Sequence, residues 1–446
     1  MDGSKPTRWT EAQAERQLRS LELFGMRFGL DRMRRMTTAL GSPERSFETV
    51  HVLGTNGKSS TTRMIAAILE RHGLRVGAYL SPHLVSWRER VLLEGRELDA
   101  DSFAAAVARA SWAADHVNHT LVEGDRVTQF ELLTAAALWE MARRRVDVAV
   151  MEAGLGGRYD ATSVIESKIT VLTNVGLEHT RWLGPTITDI AEEKLAAVQP
   201  HAVLVLGEDL HPDALAVAER IARERSARIV RAHAASDAGE RDELGARGVF
   251  QRRNFALART AAEACLRAAG IPLSEPAVAQ AAAGTRVPGR LQPIDGTPPT
   301  VLDGAHNPHA VAALVASLPE VLPADAPLAL VLGVLEDKDA AAMLAQLLPV
   351  SARAWFTAPP SSRALSPAAL HSLARQLRYE NSECEPAPAR ALEQARRWAL
   401  AHGGAVLATG SVYLVGELLA GAGQDAQLDG TAAGEPDQTP RRSLGG

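Results

Sequence analysis

Residues 51–62, HVLGTNGKSSTT, set a glycine loop, a lysine and two hydroxyls in the order that phosphate recognition uses. The spacing from Gly54 to Lys58 is G-x-x-G-K, tighter than the common G-x-x-x-x-G-K-[ST], whose first glycine would fall at Val52. Backbone N–H groups of Gly54, Thr55, Asn56 and Gly57 can face phosphate oxygens at a helix N-terminus. Lys58 adds a mobile cation, and Ser59 or Ser60 a hydroxyl for Mg²⁺. Three further stretches end apolar runs with polar side chains: Ser81 and His83 in LSPHL, Glu152 in VMEAGLGGRYDA, and His179 in TNVGLEHT. An oxygen ligand such as Glu152 suits a hard cation, although a strand-end glutamate also serves as a cap and a lone histidine as a packing residue. Lys194, near the end of ITDIAEEKLAAVQP, reads by itself as a solvated helix lysine. TVLDGAHNPHA (300–310) brings Asp303, His306 and Asn307 out of a buried run, with Pro308 suited to start a helix; the same residues would also make a simple turn capped by Asp303.

The elements that must carry these groups alternate. TVHVLG (49–54) reads as a buried strand, SSTTRMIAAILERHG as the helix that leaves the loop, and RVGAYL (75–80) as the next strand. Met64, Ile65, Ile68 and Leu69 give that helix its apolar face and Gly73 its stop. DVAVME, KITVLTNV and AVLVLG add strands, residues 231–250 are polar, and NFALARTAAEACLRAAG is a long helix. GTRVPGRLQPIDGTPPT (284–300) is dense in proline and glycine and marks a boundary. Beyond it, TVLDG, LALVLGV, ARAWFTA and AVLATG alternate with helices. The expected fold class is therefore α/β. An N-terminal P-loop ATPase-type parallel-sheet domain spans 1–285, and a linker spans 286–299. A smaller C-terminal Rossmann-like α/β domain spans 300–423, and a polar, glycine-rich disordered tail 424–446.

Composition narrows the classes. At −5 and pI near 6.3, the chain offers no basic field for nucleic acid. No apolar run reaches the ~18 residues that span a bilayer, and the polar N-terminus lacks the run of a signal peptide. Two cysteines, Cys265 and Cys384, fit a reducing compartment better than a disulfide framework, so a cytoplasmic location is expected. With no evident oligomerisation segment, a monomer is expected.

Taken in order, FGMRFGLDRM, HVLGTNGKSSTT, SPHLVSWRERV, TQFELLTAAAL, EAGLGGRYDATSVI, GLEHTRWLG, IAEEK, VPGRLQ, DGAHNPHA, GVLEDKD and TGSVYLVGE resemble the folylpolyglutamate synthase/dihydrofolate synthase family within the Mur ligase superfamily, from about Leu18 to Leu419. That resemblance implies an acid–amino-acid ligase that joins L-glutamate to the carboxylate of dihydropteroate or a reduced folate at the expense of ATP. It implies that Gly54 to Ser60 hold the ATP phosphates, with Asn254, Arg290 and Asp303 also on the nucleotide. Ser81, Glu152 and His179 become Mg²⁺ ligands, and Lys194 becomes a carbamate that helps hold a second Mg²⁺. Thr128, Gln129, Phe130, Glu131, Tyr159, Asp160 and Ala161 fall where the pterin is expected, and Lys58, Lys194 and His306 are the expected catalytic group.

Four positions depart from the family pattern. Ser59 replaces a glycine, Gln129 an aromatic residue, Ser163 an asparagine and Glu178 an aspartate. Two rivals share parts of the pattern. A peptidoglycan-type Mur ligase places a UDP-binding domain of about a hundred residues before the loop, where only 53 residues stand here. A regulatory P-loop ATPase has no need of a second domain bearing DGAHN.

Overall fold

The computed structural model describes residues 8–21, 29–233, 243–323 and 325–430, with side chains to Gly421. Two α/β units build it, each around a mainly parallel sheet. The first has eight strands: β1 Glu48–Leu53, β2 Val76–Tyr79, β3 Val91–Leu93, β4 Arg96–Glu97, β5 Val148–Glu152, β6 Ile169–Leu172, β7 Val203–Leu206 and β8 Arg228–Arg231. Their order is β4-β3-β2-β5-β1-β6-β7-β8; β3 pairs antiparallel with both β2 and β4 at one edge, and the other pairs are parallel. The second unit has β9 Gln292–Ile294, β10 Thr300–Leu302, β11 Leu328–Leu332, β12 Arg353–Phe356, β13 Ser382–Cys384 and β14 Ala405–Thr409, ordered β13-β12-β11-β14-β10-β9.

The apolar runs end up buried on both sheet faces, as parallel strands require. Val50 and Val52 of β1 face helices Lys58–Arg71 and Val249–Ala268, where Met64, Ile65, Ile68 and Leu69 form the expected apolar stripe. Leu53 points the other way, into the core made with helices Ile187–Leu195 and Pro212–Glu224. That alternation is the strand period of two.

The strands expected from TVHVLG, RVGAYL, DVAVME, KITVLTNV, AVLVLG and the four later runs all form. Sequence reasoning missed β3, β4, β8, β9 and β13, which are short and lie at or near sheet edges. Edge strands lack the continuous apolar run that marks a central one, and the ends of β8, Arg228 and Arg231, are exposed. The stretch read as a linker contributes β9, paired antiparallel with β10. The last helix runs Val412–Gly430, so 424–430 is helical where a disordered tail was expected; residues 431–446 lie outside the described residues. Residues 24–28 of FGMRFGLDRM and 234–242 of the polar stretch also lie outside them. Among the described residues no helix is long and apolar enough to cross a membrane.

Candidate functional site

The carboxyl ends of the central strands of both sheets converge, which is where open α/β sheets place ligands. β1 leads into the loop Gly54–Gly57, and Lys58 opens a 14-residue helix whose N-cap, Gly57, has φ +82°. A side chain at Gly54 would meet Thr173 Oγ1 at 1.9 Å, and one at Gly57 would meet Asn254 Oδ1 at 2.5 Å. Both glycines are there because the loop packs too closely for a Cβ. Lys58 Nζ donates to the Thr55 carbonyl at 3.0 Å, folding the cation back over the loop.

A cavity of about 440 Å³ lies between the two units and gathers nearly every predicted residue. Thr55, Asn56, Gly57, Lys58, Ser59, Ser60 and Asn254 line it from the first unit, and Arg290, Asp303 and His306 border it from β9 and β10. Thr128, Gln129, Phe130, Glu131, Tyr159, Asp160 and Ala161 line another part of the same wall, and so do Ser81, Glu152 and His179. Two predicted residues do not line it. Gly54 packs beneath the loop, and Lys194 is 2% exposed, its Nζ donating to the Leu155 carbonyl at 2.8 Å just behind the wall. The solvated-lysine reading of Lys194 is therefore wrong: the helix turns it inward. Gln129, standing where an aromatic was expected, is buried and ties its side-chain amide to the Leu18 carbonyl at 2.7 Å.

Burial sets the electrostatics. Glu152 is 1% exposed, and burial pushes its carboxyl above the usual range, while Lys58, the Ser81 N–H and the Ser59 hydroxyl pull it back. Its oxygens accept from Ser59 Oγ at 2.8 Å and from Ser81 N at 3.0 Å. Among the described residues it forms no ion pair. A buried carboxylate on hydroxyl and amide donors alone is the kind of ligand a divalent cation completes. Among the described residues no three His, Cys, Asp or Glu side chains form a metal cluster. The expected set contains two of those types, Glu152 and His179, so Ser81 and a modified Lys194 would have to supply the remaining oxygens. Burial, reinforced by Lys58, brings the Lys194 amine down to about 7, and burial brings His179 down to about 4 against the pull of Glu178. Burial also raises Asp303, which accepts from the amides of Leu291 and Ala305 beside Arg290.

The two units meet through polar contacts at the cavity. Asn56 and Asn307 exchange side-chain amide bonds at 3.3 and 2.9 Å, and Asn56 Nδ2 also lies 3.1 Å from His309 Nδ1. Asn307 at the same time caps helix Pro308–Ser317 by accepting from Ala310 N. Glu178 reaches across to Lys338 Nζ at 2.9 Å and to His306 Nε2 at 3.3 Å, while His306 Nδ1 donates to the Gly304 carbonyl. Burial opposes the charge on Glu178, yet His306, Lys338 and His179 hold its carboxyl well below the usual range.

Sequence reasoning passed over Arg32, Arg90 and Lys338. Arg32 is 6% exposed and pairs with Glu131 and Asp125, bracing the TQFE wall. Arg90 borders the cavity with its Nε on His83 Nδ1 at 2.9 Å and its guanidinium over the Trp87 ring. The signal available was the presence of DRM, RERV and EDKD inside the quoted motifs; nothing local separates these cations from surface ones.

Comparison with known proteins places both halves. The Mur ligase middle domain matches residues 52–246, and the Mur ligase glutamate ligase domain matches residues 289–412. The dihydrofolate synthase/folylpolyglutamate synthase of Escherichia coli is 34% identical over 339 residues, covering 74% of this chain and 77% of that one. A probable bifunctional folylpolyglutamate synthase/dihydropteroate synthase of Haloferax volcanii is 35% identical over 424 residues, 89% of this chain; the chain spans 49% of that longer relative. The structure of Mycobacterium tuberculosis folylpolyglutamate synthase complexed with ADP superposes with a TM-score of 0.84 at 29% identity, covering 93% of this chain and 98% of that one.

Proposed function

The chain belongs to the folylpolyglutamate synthase/dihydrofolate synthase family of Mur ligases, and from that membership we propose that it joins L-glutamate to the carboxylate of dihydropteroate, a reduced folate, or both, consuming ATP. The observation that carries the reading is the cavity between the units, which sets residues 55–60, where the glycine loop runs into its helix, the Thr128–Glu131 wall and the DGAHN strand end around one space. An ATP-binding loop, a wall for a pterin-linked acid and a second domain that closes on both are the parts such a ligation needs.

A free carboxylate resists an amine because it is anionic and lacks a leaving group. Transfer of the γ-phosphoryl group to a carboxylate oxygen gives an acyl phosphate and ADP. The glutamate amine then attacks the acyl carbon, the C–O bond to phosphate breaks, and the amine proton leaves with the departing group or solvent. Lys58, held over the loop by the Thr55 carbonyl, sits where charge grows on the transferring group. Ser81, Glu152, His179 and a carbamoylated Lys194 would hold two Mg²⁺ ions, which neutralise phosphate charge when bound. Asn254, Arg290 and Asp303 flank the nucleotide. Thr128 to Glu131 and Tyr159 to Ala161 face the pterin. His306 belongs to the closing surface, where it meets Glu178. Closure excludes water, which would otherwise hydrolyse the acyl phosphate. Free Cys265 and Cys384 agree with a reducing, cytoplasmic setting, and the working unit is a monomer.

The test is phosphate release by purified enzyme supplied with ATP and Mg²⁺. Release should require both glutamate and either dihydropteroate or tetrahydrofolate, and the two acids assayed separately assign the substrate. Release with ATP alone would instead make the chain a regulatory ATPase. Lys58→Ala should abolish ligation and keep the circular dichroism of the parent; near-normal turnover refutes the role of the loop lysine.

A further inference from the structure

One buried polar group takes no part in the site described above. His51 lies within β1, fully buried, and among the described residues its Nδ1 has no hydrogen-bond partner. Its Nε2 is 2.8 Å from Thr162 Oγ1. Thr162, also fully buried, sends its hydroxyl to Asp160 Oδ1 at 2.6 Å and its amide to the same oxygen at 3.0 Å. The carboxylate accepts, so the hydroxyl proton is committed to Asp160 and the threonine oxygen must accept from His51. Nε2 therefore carries the ring hydrogen and Nδ1 is the bare nitrogen.

The other Asp160 oxygen accepts the Gly156 amide at 2.9 Å. That amide and the Leu155 carbonyl are two ends of one planar peptide, and the Leu155 carbonyl is the atom that takes the Lys194 Nζ at 2.8 Å. His51, Thr162, Asp160, one peptide group and Lys194 thus form a continuous hydrogen-bonded chain. We propose that His51 is a positioning residue: through Thr162 and Asp160 it fixes the Leu155–Gly156 peptide whose carbonyl holds the Lys194 nitrogen.

The peptide needs such a support. Gly156 and Gly157 have φ of +88° and +100°, and glycine passes between backbone basins with little steric resistance. A flip of the 155–156 peptide would turn its N–H toward the lysine nitrogen, a donor facing a donor. Asp160 opposes the flip because its oxygen accepts that N–H on the far side. Thr162 and His51 in turn hold the carboxylate in the one orientation that does so, and linked bonds of this kind strengthen one another. The loop also has no slack: a side chain at Gly157 would meet the Glu193 carbonyl oxygen at 2.2 Å, and the Arg158 amide donates to that same oxygen at 3.1 Å. A carbamate nitrogen keeps one hydrogen, which the Leu155 carbonyl can still accept.

The inference rests on the reading of Lys194 as a carbamate-bearing ligand, and the experiment separates the two. Thr162→Val keeps the shape and breaks the chain; Thr162→Ser keeps the hydroxyl. Three quantities are measured on the full chain: hydrogen exchange of the peptide covering 154–160, the ¹³C carbamate signal in labelled bicarbonate, and kcat with KM for ATP. Thr162→Val should raise exchange at 154–160, weaken the carbamate signal and lower kcat roughly tenfold to a hundredfold, the usual loss when a supporting partner of a ligand is removed, with KM for ATP unchanged. Thr162→Ser should restore all three. Parental exchange and parental kcat in Thr162→Val overturn the proposal. If Thr162→Val does not fold, His51→Gln is measured in its place against the same outcomes. A parental enzyme without any carbamate signal refutes the carbamate reading, and the positioning role is then decided by the exchange of 154–160 alone.

Discussion

Glu178→Gln removes one charge from a junction that joins the two units. Glu178 and Lys338 are 9% and 10% exposed at the side chain and lie 2.9 Å apart, with His306 at 3.3 Å from the same oxygen. Removing one partner of a buried pair costs about 3–5 kcal/mol, because the other charge stays desolvated without compensation. The cavity edge admits some water, so the lower end, about 3 kcal/mol, applies, or roughly 150-fold in an equilibrium constant. Glu178 follows β6 of the first sheet, whereas His306 and Lys338 follow β10 and β11 of the second. The loss therefore falls on closure and leaves each sheet intact. Glu178→Gln should lower kcat/KM for glutamate by up to that factor while the thermal unfolding of the units moves little. Raising NaCl from 0.05 to 0.5 M should barely change the parent, since buried pairs are weakly screened. The assay is a double-mutant cycle with Lys338→Met, read in kcat/KM. Additivity of the two substitutions within about 0.5 kcal/mol would refute a direct interdomain bond.

Lys194→Ala should lose ligation and regain part of it with short carboxylic acids, which replace the missing carbamate oxygens; full activity before any addition removes Lys194 from the site. Gly157→Ala places a Cβ 2.2 Å from a backbone oxygen at a φ of +100°, so about 1–3 kcal/mol of stability should be lost in urea unfolding, together with activity. His51 is held near 4 by burial, below its usual 6.5, so the folded protein keeps it neutral while the unfolded chain takes up a proton. Its contribution is complete above about pH 6.5 and is lost as pH falls toward 4, on the order of 3 kcal/mol in total. His51→Gln should flatten the stability profile across that window; parallel profiles for parent and variant would contradict the assignment.

Much of this was readable along the chain because it depends on neighbours in sequence. A buried β1, a glycine loop and an amphipathic helix announce themselves within 25 residues, and Pro308 after Asn307 marks a helix start in the same local way. The ordered motifs placed the Thr128–Glu131 and Tyr159–Ala161 walls without any coordinates. The edge strands were missed because a strand with one paired side carries no unbroken apolar run.

The sequence by itself determined the alternation of strands and helices, the phosphate loop and the set of polar residues at strand ends, since each follows from residue type and short-range periodicity. Only the tertiary structure decided which of those residues touch. Glu178 meets Lys338 across 160 residues, and His51 meets Thr162 across 111. Lys194 reads as a surface lysine until its helix is packed against the Gly154–Asp160 loop. Burial, partner and protonation come from what the fold brings close, and no local pattern encodes them.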